Sequence, residues 1–242
     1  MSMRYLVAAV ALGAATASSA AVLVVRSSGP SAKAFPPGKS LDENGKIALK
    51  PNDMLVVLDA RGTRTLRGPG TFTPGGPAKA AASMSSLGAV SGAARGRARV
   101  GAVRSVGSGP AKPTIWHVDV SKSSSVCVAS PTNVLLWRPD ASRPATITVA
   151  GTRGTANRQL VWGAGQSTLN WPSDLPISNG AEYRLSWDGV RAPTRLQFRT
   201  LAAKPVSLDE LASTFIKNGC NAQLDLLIET AKLPESASAP TG

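Results

Sequence analysis

The strongest constraint on this fold lies between residues 114 and 200, where eight short runs rich in β-branched and aromatic residues recur at near-regular intervals. They occupy 115–120, 125–129, 134–138, 145–150, 159–162, 168–171, 182–187 and 195–199. Strand-length runs spaced this closely and separated by turn-forming residues predict a two-sheet sandwich. The chain also carries 23 Gly and 18 Pro, which punctuate it too often for long helices. The predicted class is therefore mainly β, and 242 residues suffice for two folded pieces, each with its own core.

Residues 21–73 read as a second, smaller antiparallel β unit. Its expected strands are 22–26, 47–50, 54–59 and 63–66, with turn material at Pro36-Pro37-Gly38, Glu43-Asn44-Gly45, Pro51-Asn52-Asp53 and Ala60-Arg61-Gly62. The stretch from Lys46 to Phe72, with Lys50-Pro51-Asn52-Asp53, then Met54-Leu55-Val56-Val57-Leu58, Ala60-Arg61-Gly62 and Gly68-Pro69-Gly70, resembles the FecR-type domain of bacterial envelope and regulatory proteins. That resemblance covers about a fifth of the chain. It implies an extracytoplasmic β domain and brings no catalytic residue with it. In the larger unit, Asn179-Gly180-Ala181-Glu182-Tyr183-Arg184-Leu185-Ser186-Trp187 is similar to a late strand of an immunoglobulin-like or fibronectin-like domain, in which a Tyr anchors the corner.

The N-terminus has one Arg4, an uncharged stretch from Tyr5 to Val25, and the small residues Ser18 and Ala20 in the positions that precede a signal-peptidase cut. Residues 1–20 are thus expected to be a signal peptide, removed on export to a periplasmic or other extracytoplasmic compartment. The alternative is retention as a membrane anchor, since the uncharged stretch is long enough to span a bilayer. Membrane contact follows only if the segment stays uncut. After a cut, Ala21 to Val25 suit the first strand of the mature fold. In such a compartment the only two cysteines, Cys127 and Cys220, are expected to form a disulfide.

Residues 74–113 change character to Gly, Pro, Ala and Ser with little bulky apolar content, as in a linker. The net charge of +13 is concentrated around it: from Ala60 to Val118 there are nine basic residues and no acidic one. Arg61, Arg64, Arg67, Arg95, Arg97, Arg99 and Arg104 are the candidate polyanion-binding residues, and an anionic glycan or glycolipid of the envelope is the expected partner besides other envelope proteins. Near the C-terminus the period changes. Ser207-Leu208-Asp209-Glu210 is a capping box, Leu211, Ala212, Phe215 and Ile216 fall on one helical face, and Asn218-Gly219 ends the helix. A second helix follows from Ala222 to Lys232. The predicted hairpin, 201–233, is expected to lie against the sandwich, with Cys220 tying it to the strand of Cys127; residues 234–242 read as a disordered tail. Its second helix is acidic, which argues against specific nucleic-acid recognition.

Other chemistry finds little support. Gly38-Lys39-Ser40 lacks the preceding Gly of a phosphate-binding loop, because position 33 is Lys. No Gly-x-Ser-x-Gly elbow occurs, and the single His117 reads as a half-buried strand residue. No catalytic, cofactor-binding or metal-ligating residues are assigned, and no cofactor is expected. All five Trp fall in the predicted sandwich; three are expected to be buried, and the others are left open as platforms of the kind that stack sugars or bases. The functional expectation is a non-enzymatic exported binding or assembly protein of the bacterial cell envelope. An anchored FecR-like signalling regulator and an envelope hydrolase are the alternatives.

Overall fold

The computed structural model describes residues 21–76, 112–151, 157–187 and 192–232. The expected signal peptide, most of the linker including Arg95, Arg97, Arg99 and Arg104, and the expected tail lie outside the described residues. The described chain is mainly β: fourteen strands in four sheets are followed by two helices.

The first sheet has the order β2-β1-β4-β5, all antiparallel, from β1 (Ala21–Ser28), β2 (Ser40–Asp42), β4 (Met54–Asp59) and β5 (Gly62–Arg67). β1 and β4 are nearly continuous apolar runs, the signature of strands buried on both faces. On one face Val22, Val24, Leu55, Val57 and Leu66 meet Ile47 and Leu49 of β3 (Ile47–Leu49), with Phe72 of β6 (Gly70–Phe72) beside them. β3 and β6 form a two-stranded antiparallel ribbon over that face. Asp53 closes the tight entry to β4. Its carboxylate accepts from the Ser31 N–H at 2.8 Å and the Lys50 N–H at 2.6 Å, and Asn52 beside it sits at φ 67°. The strands expected at 22–26, 47–50, 54–59 and 63–66 are all present; β2 and β6, only three residues each, went unread.

The opposite face carries Leu23, Val25, Val56 and Leu58, and it is covered by the C-terminal helices α1 (Leu208–Asn218) and α2 (Asn221–Thr230). Leu208, Leu211, Ala212, Phe215, Leu224 and Leu227 supply the helical side of this core. The hairpin lies against the larger unit, where α2 runs beside the strand of Cys127, and it also covers the first sheet, a second contact that the sequence pattern did not announce. A β-bulge at Val25 interrupts the β1–β4 register, between Val24↔Val57 and Arg26↔Val56. A bulge shifts the side-to-side alternation by one residue. It brings Arg26 to the helical side, where its Nη2 lies 2.5 Å from Asp225 Oδ1. Thr63 of β5 joins the end of the hairpin through its N–H to the Ala231 carbonyl (2.8 Å) and its hydroxyl to the Ile228 carbonyl (2.9 Å). The α1 boundaries follow the capping box: Ser207 Oγ accepts from the Glu210 N–H, Glu210 Oε2 accepts from the Val206 N–H, and Gly219 ends the helix at φ 70°.

The larger unit has a five-stranded sheet, β11-β10-β13-β14-β8, and a three-stranded sheet, β12-β9-β7. Its strands are β7 (His117–Asp119), β8 (Ser124–Val128), β9 (Leu135–Trp137), β10 (Ala145–Gly151), β11 (Arg158–Trp162), β12 (Thr168–Asn170), β13 (Glu182–Trp187) and β14 (Thr194–Thr200), one for each of the eight predicted runs. β8 pairs parallel to β14 and β7 parallel to β9; the other pairings are antiparallel. Both sheets contribute to a single core, Val118 and Leu136 from one and Val126, Ile147, Val149, Leu185, Leu196 and Phe198 from the other. Trp171, Tyr183 and Phe198 meet edge to face, with ring centroids 4.8 to 5.9 Å apart. The Tyr183 hydroxyl donates to the Pro176 carbonyl at 2.6 Å, fixing the corner that leads into β13. Trp137, Trp162 and Trp171 are buried, as three of the five were expected to be; Trp116 and Trp187 are partly exposed.

Candidate functional site

The residues expected to contact polyanions divide into two groups once folded. Asp59, at the end of β4, is 8% exposed and lies under the turn that starts β5. Its Oδ1 accepts from the Arg61 N–H at 2.8 Å, and its Oδ2 accepts from Arg61 Nη2 at 2.6 Å and Arg64 Nη2 at 3.2 Å. Glu43 Oε1 lies 3.6 Å from Arg61 Nη2. The same guanidinium groups reach the carbonyls of the following segment, Arg61 to Gly75 at 3.0 Å and Arg64 to Pro74 and to Gly76 at 3.0 Å. Arg61 and Arg64 are thus engaged inside the protein, holding residues 74–76 back against the first unit. The acids that neutralise them lie outside the 60–118 window in sequence, Asp59 one position before it and Glu43 further back, so a charge count confined to that window leaves them out. Arg67 is exposed, its Nη1 3.7 Å from Met54 Sδ. Arg95, Arg97, Arg99 and Arg104 lie outside the described residues.

Burial alone would raise the Asp59 carboxyl. The hydrogen bonds from Arg61, with the charges of Arg61 and Arg64, outweigh it and hold the group below the usual carboxylate range.

Cys127 on β8 and Cys220 between the helices are at disulfide distance, with Cα atoms 5.9 Å apart. β8 is the last strand of its sheet, so one side of its backbone faces away from β14. At Cys127 that open edge is occupied by Gln223, which is 5% exposed. The Gln223 Oε1 accepts from the Cys127 N–H at 2.6 Å, and its Nε2 donates to the Cys127 carbonyl at 2.9 Å and the Ile115 carbonyl at 2.7 Å. One side-chain amide therefore substitutes for a neighbouring strand, which protects an edge that would otherwise present unpaired groups. The sequence held no signal for Gln223, since its partners are remote in the chain.

Two clefts adjoin one another at the rim of the larger unit and share Ser121 and Pro139. The first, about 370 Å³, is bordered by Arg138, Asp140, Arg143, Trp187 and Thr194. Arg138 is 3% exposed and organises this end of the sheets: its Nε donates to the Gln166 carbonyl (2.9 Å), Nη1 to the Arg143 carbonyl (2.8 Å) and Nη2 to the Gly163 carbonyl (2.9 Å). Its guanidinium lies 5.6 Å from the ring centre of Trp162, and Trp162 stacks on Trp187 at 5.6 Å with the rings 10° from parallel. Asp140, which accepts from Ser142, is held below the usual carboxylate range by those hydrogen bonds and then by the charges of Arg143 and Arg138.

The second cleft, about 430 Å³, runs between β7, β8 and α2. His117, Asp119, Lys122, Asp225 and Glu229 give it an acidic lining in an otherwise basic chain. His117 is half-buried, and its Nδ1 accepts from the Thr114 N–H at 3.0 Å, so the proton of the neutral ring is on Nε2. Burial lowers its pKa from the usual imidazole value, which keeps it uncharged at neutral pH. Among the described residues no group of three or more His, Cys, Asp or Glu is placed to hold a metal ion, and no helix is long and apolar enough to cross a membrane. No protein-family model, curated protein or solved structure matches the chain.

Proposed function

We propose that the protein is a non-enzymatic, exported binding or assembly module of the bacterial cell envelope that contacts anionic envelope polymers. In this reading residues 21–73 are a FecR-like unit and residues 114–200 an immunoglobulin-like sandwich. The observation that carries the proposal is the Cys127–Cys220 pair, which spans 93 positions and links the helical hairpin to the edge of the larger unit. A pair placed between two packed elements acts as a structural staple, and such bonds persist in oxidising compartments outside the cytoplasm. A second observation supports export with cleavage. Val22 to Val25 are buried in the middle of the first sheet. They cannot serve both that sheet and a bilayer, and the remaining uncharged run, Tyr5 to Ala20, is shorter than the ~20 residues a spanning helix needs. The cations that would meet the polymer are the exposed Arg67 together with Arg95, Arg97, Arg99 and Arg104 of the basic segment, because Arg61 and Arg64 are occupied by Asp59.

The full chain expressed in a bacterium should be recovered from the envelope fraction with an intact mass that starts at Ala21 and is lower by two hydrogens for the disulfide. It should be retained on an anionic glycolipid matrix at low salt, and less so after Arg95→Gln, Arg97→Gln and Arg99→Gln together. Retention should fall steeply as salt rises, since exposed charges are screened over about 8 Å at physiological ionic strength. A chain still starting at Met1 or Ser2 with two free thiols overturns export, and retention unchanged by the triple substitution overturns the polymer contact.

A further inference from the structure

A buried guanidinium is ordinarily matched by a carboxylate. Arg138 instead spends its hydrogen bonds on three main-chain carbonyls and on the face of Trp162. Its charge is therefore only partly balanced, and it borders the first cleft beside a second guanidinium, Arg143, and one carboxylate, Asp140. Arg143 is exposed, and its side chain takes part in none of the hydrogen bonds or ion pairs among the described residues. Among the described residues that border it, the cleft thus has a positive balance, a planar donor in Arg143, and a partly exposed indole, Trp187, in its wall. Trp187 is held in place by its stacking on the fully buried Trp162, so it enters binding with little ordering left to lose.

We propose that the cleft formed by Arg138, Arg143, Asp140 and Trp187 binds a single carboxylate-bearing sugar residue of an envelope glycan. Each part of such a ligand has a counterpart. The C–H face of a pyranose packs on the indole of Trp187. The sugar carboxylate takes the fork of Arg143 in a charge-assisted pair, with Arg138 adding to the positive field. Asp140, Ser121 and Thr194 offer acceptors and donors for ring hydroxyls. A cleft of about 370 Å³ is at the small end of ligand sites, which suits one or two rings and excludes an extended polymer segment. A nucleotide shares the pairing of a flat face with an anion, but the exported location argued above places the cleft among glycans. The proposal rests on that reading.

The test is a titration of the purified, ¹⁵N-labelled full chain with methyl glucuronide, methyl glucoside and uridine monophosphate, following the five Trp indole signals. Trp187→Phe assigns the relevant one. The glucuronide should shift the Trp187 signal saturably and bind at least about tenfold more tightly than the glucoside, the scale of a charge-assisted pair. Arg143→Gln should bring the glucuronide down to the affinity of the glucoside and leave the glucoside unchanged. That variant keeps the Arg143 carbonyl to which Arg138 donates, and the other four indole signals report that the fold is retained. No Trp187 shift with either sugar, equal affinity for the two sugars, or an undiminished Arg143→Gln variant overturns the site. Uridine monophosphate binding as tightly as the glucuronide overturns the ligand class. The titration is independent of cellular location and of Arg95, Arg97 and Arg99, so its failure leaves export and polymer retention standing, and their failure leaves the titration readable.

Discussion

At the scale of single residues, the Asp59–Arg61–Arg64 group shows how a charge count along the chain misleads. An uninterrupted run of cations suggested an open basic surface, yet its first two members are turned inward on an acid one position before the window begins. Asp59→Asn removes the charge that two guanidinium groups share, and Arg64 is left largely buried without it. A loss of about 3 kcal/mol is expected, below the top of the range for broken buried pairs because Arg61 is partly solvated. Urea unfolding of the variant at neutral pH measures it. The pH dependence has a definite sign. The Asp59 carboxyl ionises at lower pH in the folded than in the unfolded chain, where its value is about 3.9. Its stabilisation is therefore complete above that value and is lost as pH falls through the lower, folded one. The wild type should lose stability over that acid window, and Asp59→Asn should show a shallower decline; identical acid limbs would dismiss Asp59 as the titrating group.

At the scale of elements, the helical hairpin is held at two places of different kind. Its first helix lies on β1 and β4, while Cys220 in its turn and Gln223 of α2 tie it to β8, along which α2 packs. Replacing both cysteines by Ala removes a cross-link closing a loop of 93 positions. In the chain-entropy model this costs up to about 4 to 5 kcal/mol, less whatever strain the bond holds. The loss should be local before it is global. Amide exchange should accelerate first in α2 and at position 127 of β8, while the core of the five-stranded sheet stays protected, because that core makes no use of the bond. Uniform acceleration across both sheets would show instead that the staple governs the whole fold.

At the scale of the molecule, the chain closes on itself. The first sheet is laid down by residues 21–67, yet one of its faces waits for helices that begin at Leu208. A fragment of residues 21–76 should therefore fail to fold cooperatively, since Leu23, Val25, Val56 and Leu58 would face water, and small units with so little core are marginal in any case. Proton NMR of the fragment should show collapsed amide dispersion; a native-like spectrum would mean that the β3–β6 ribbon alone stabilises the sheet.

Local pattern and long-range closure divide what could be read in advance. The sequence by itself determined the strand positions of the larger unit, because short runs of β-branched and aromatic residues, which form strands of three to seven residues, are separated by Gly, Pro, Asn and Asp that mark the turns. It determined the start and end of α1, because Ser207, Glu210 and Gly219 satisfy the terminal backbone groups locally. The apolar runs at 22–25 and 54–58 likewise read as strands, and the structure covers both their faces. What covers them, which strand edge Gln223 completes, which arginines are neutralised, and the meeting of Arg138, Arg143 and Trp187 in one cleft were decided only by the tertiary structure. Apart from the local pairing of Asp59 with Arg61 and Arg64, each of these depends on groups brought together from distant parts of the chain. Burial and charge pairing act through space, and a sequence pattern records only the neighbours along the backbone.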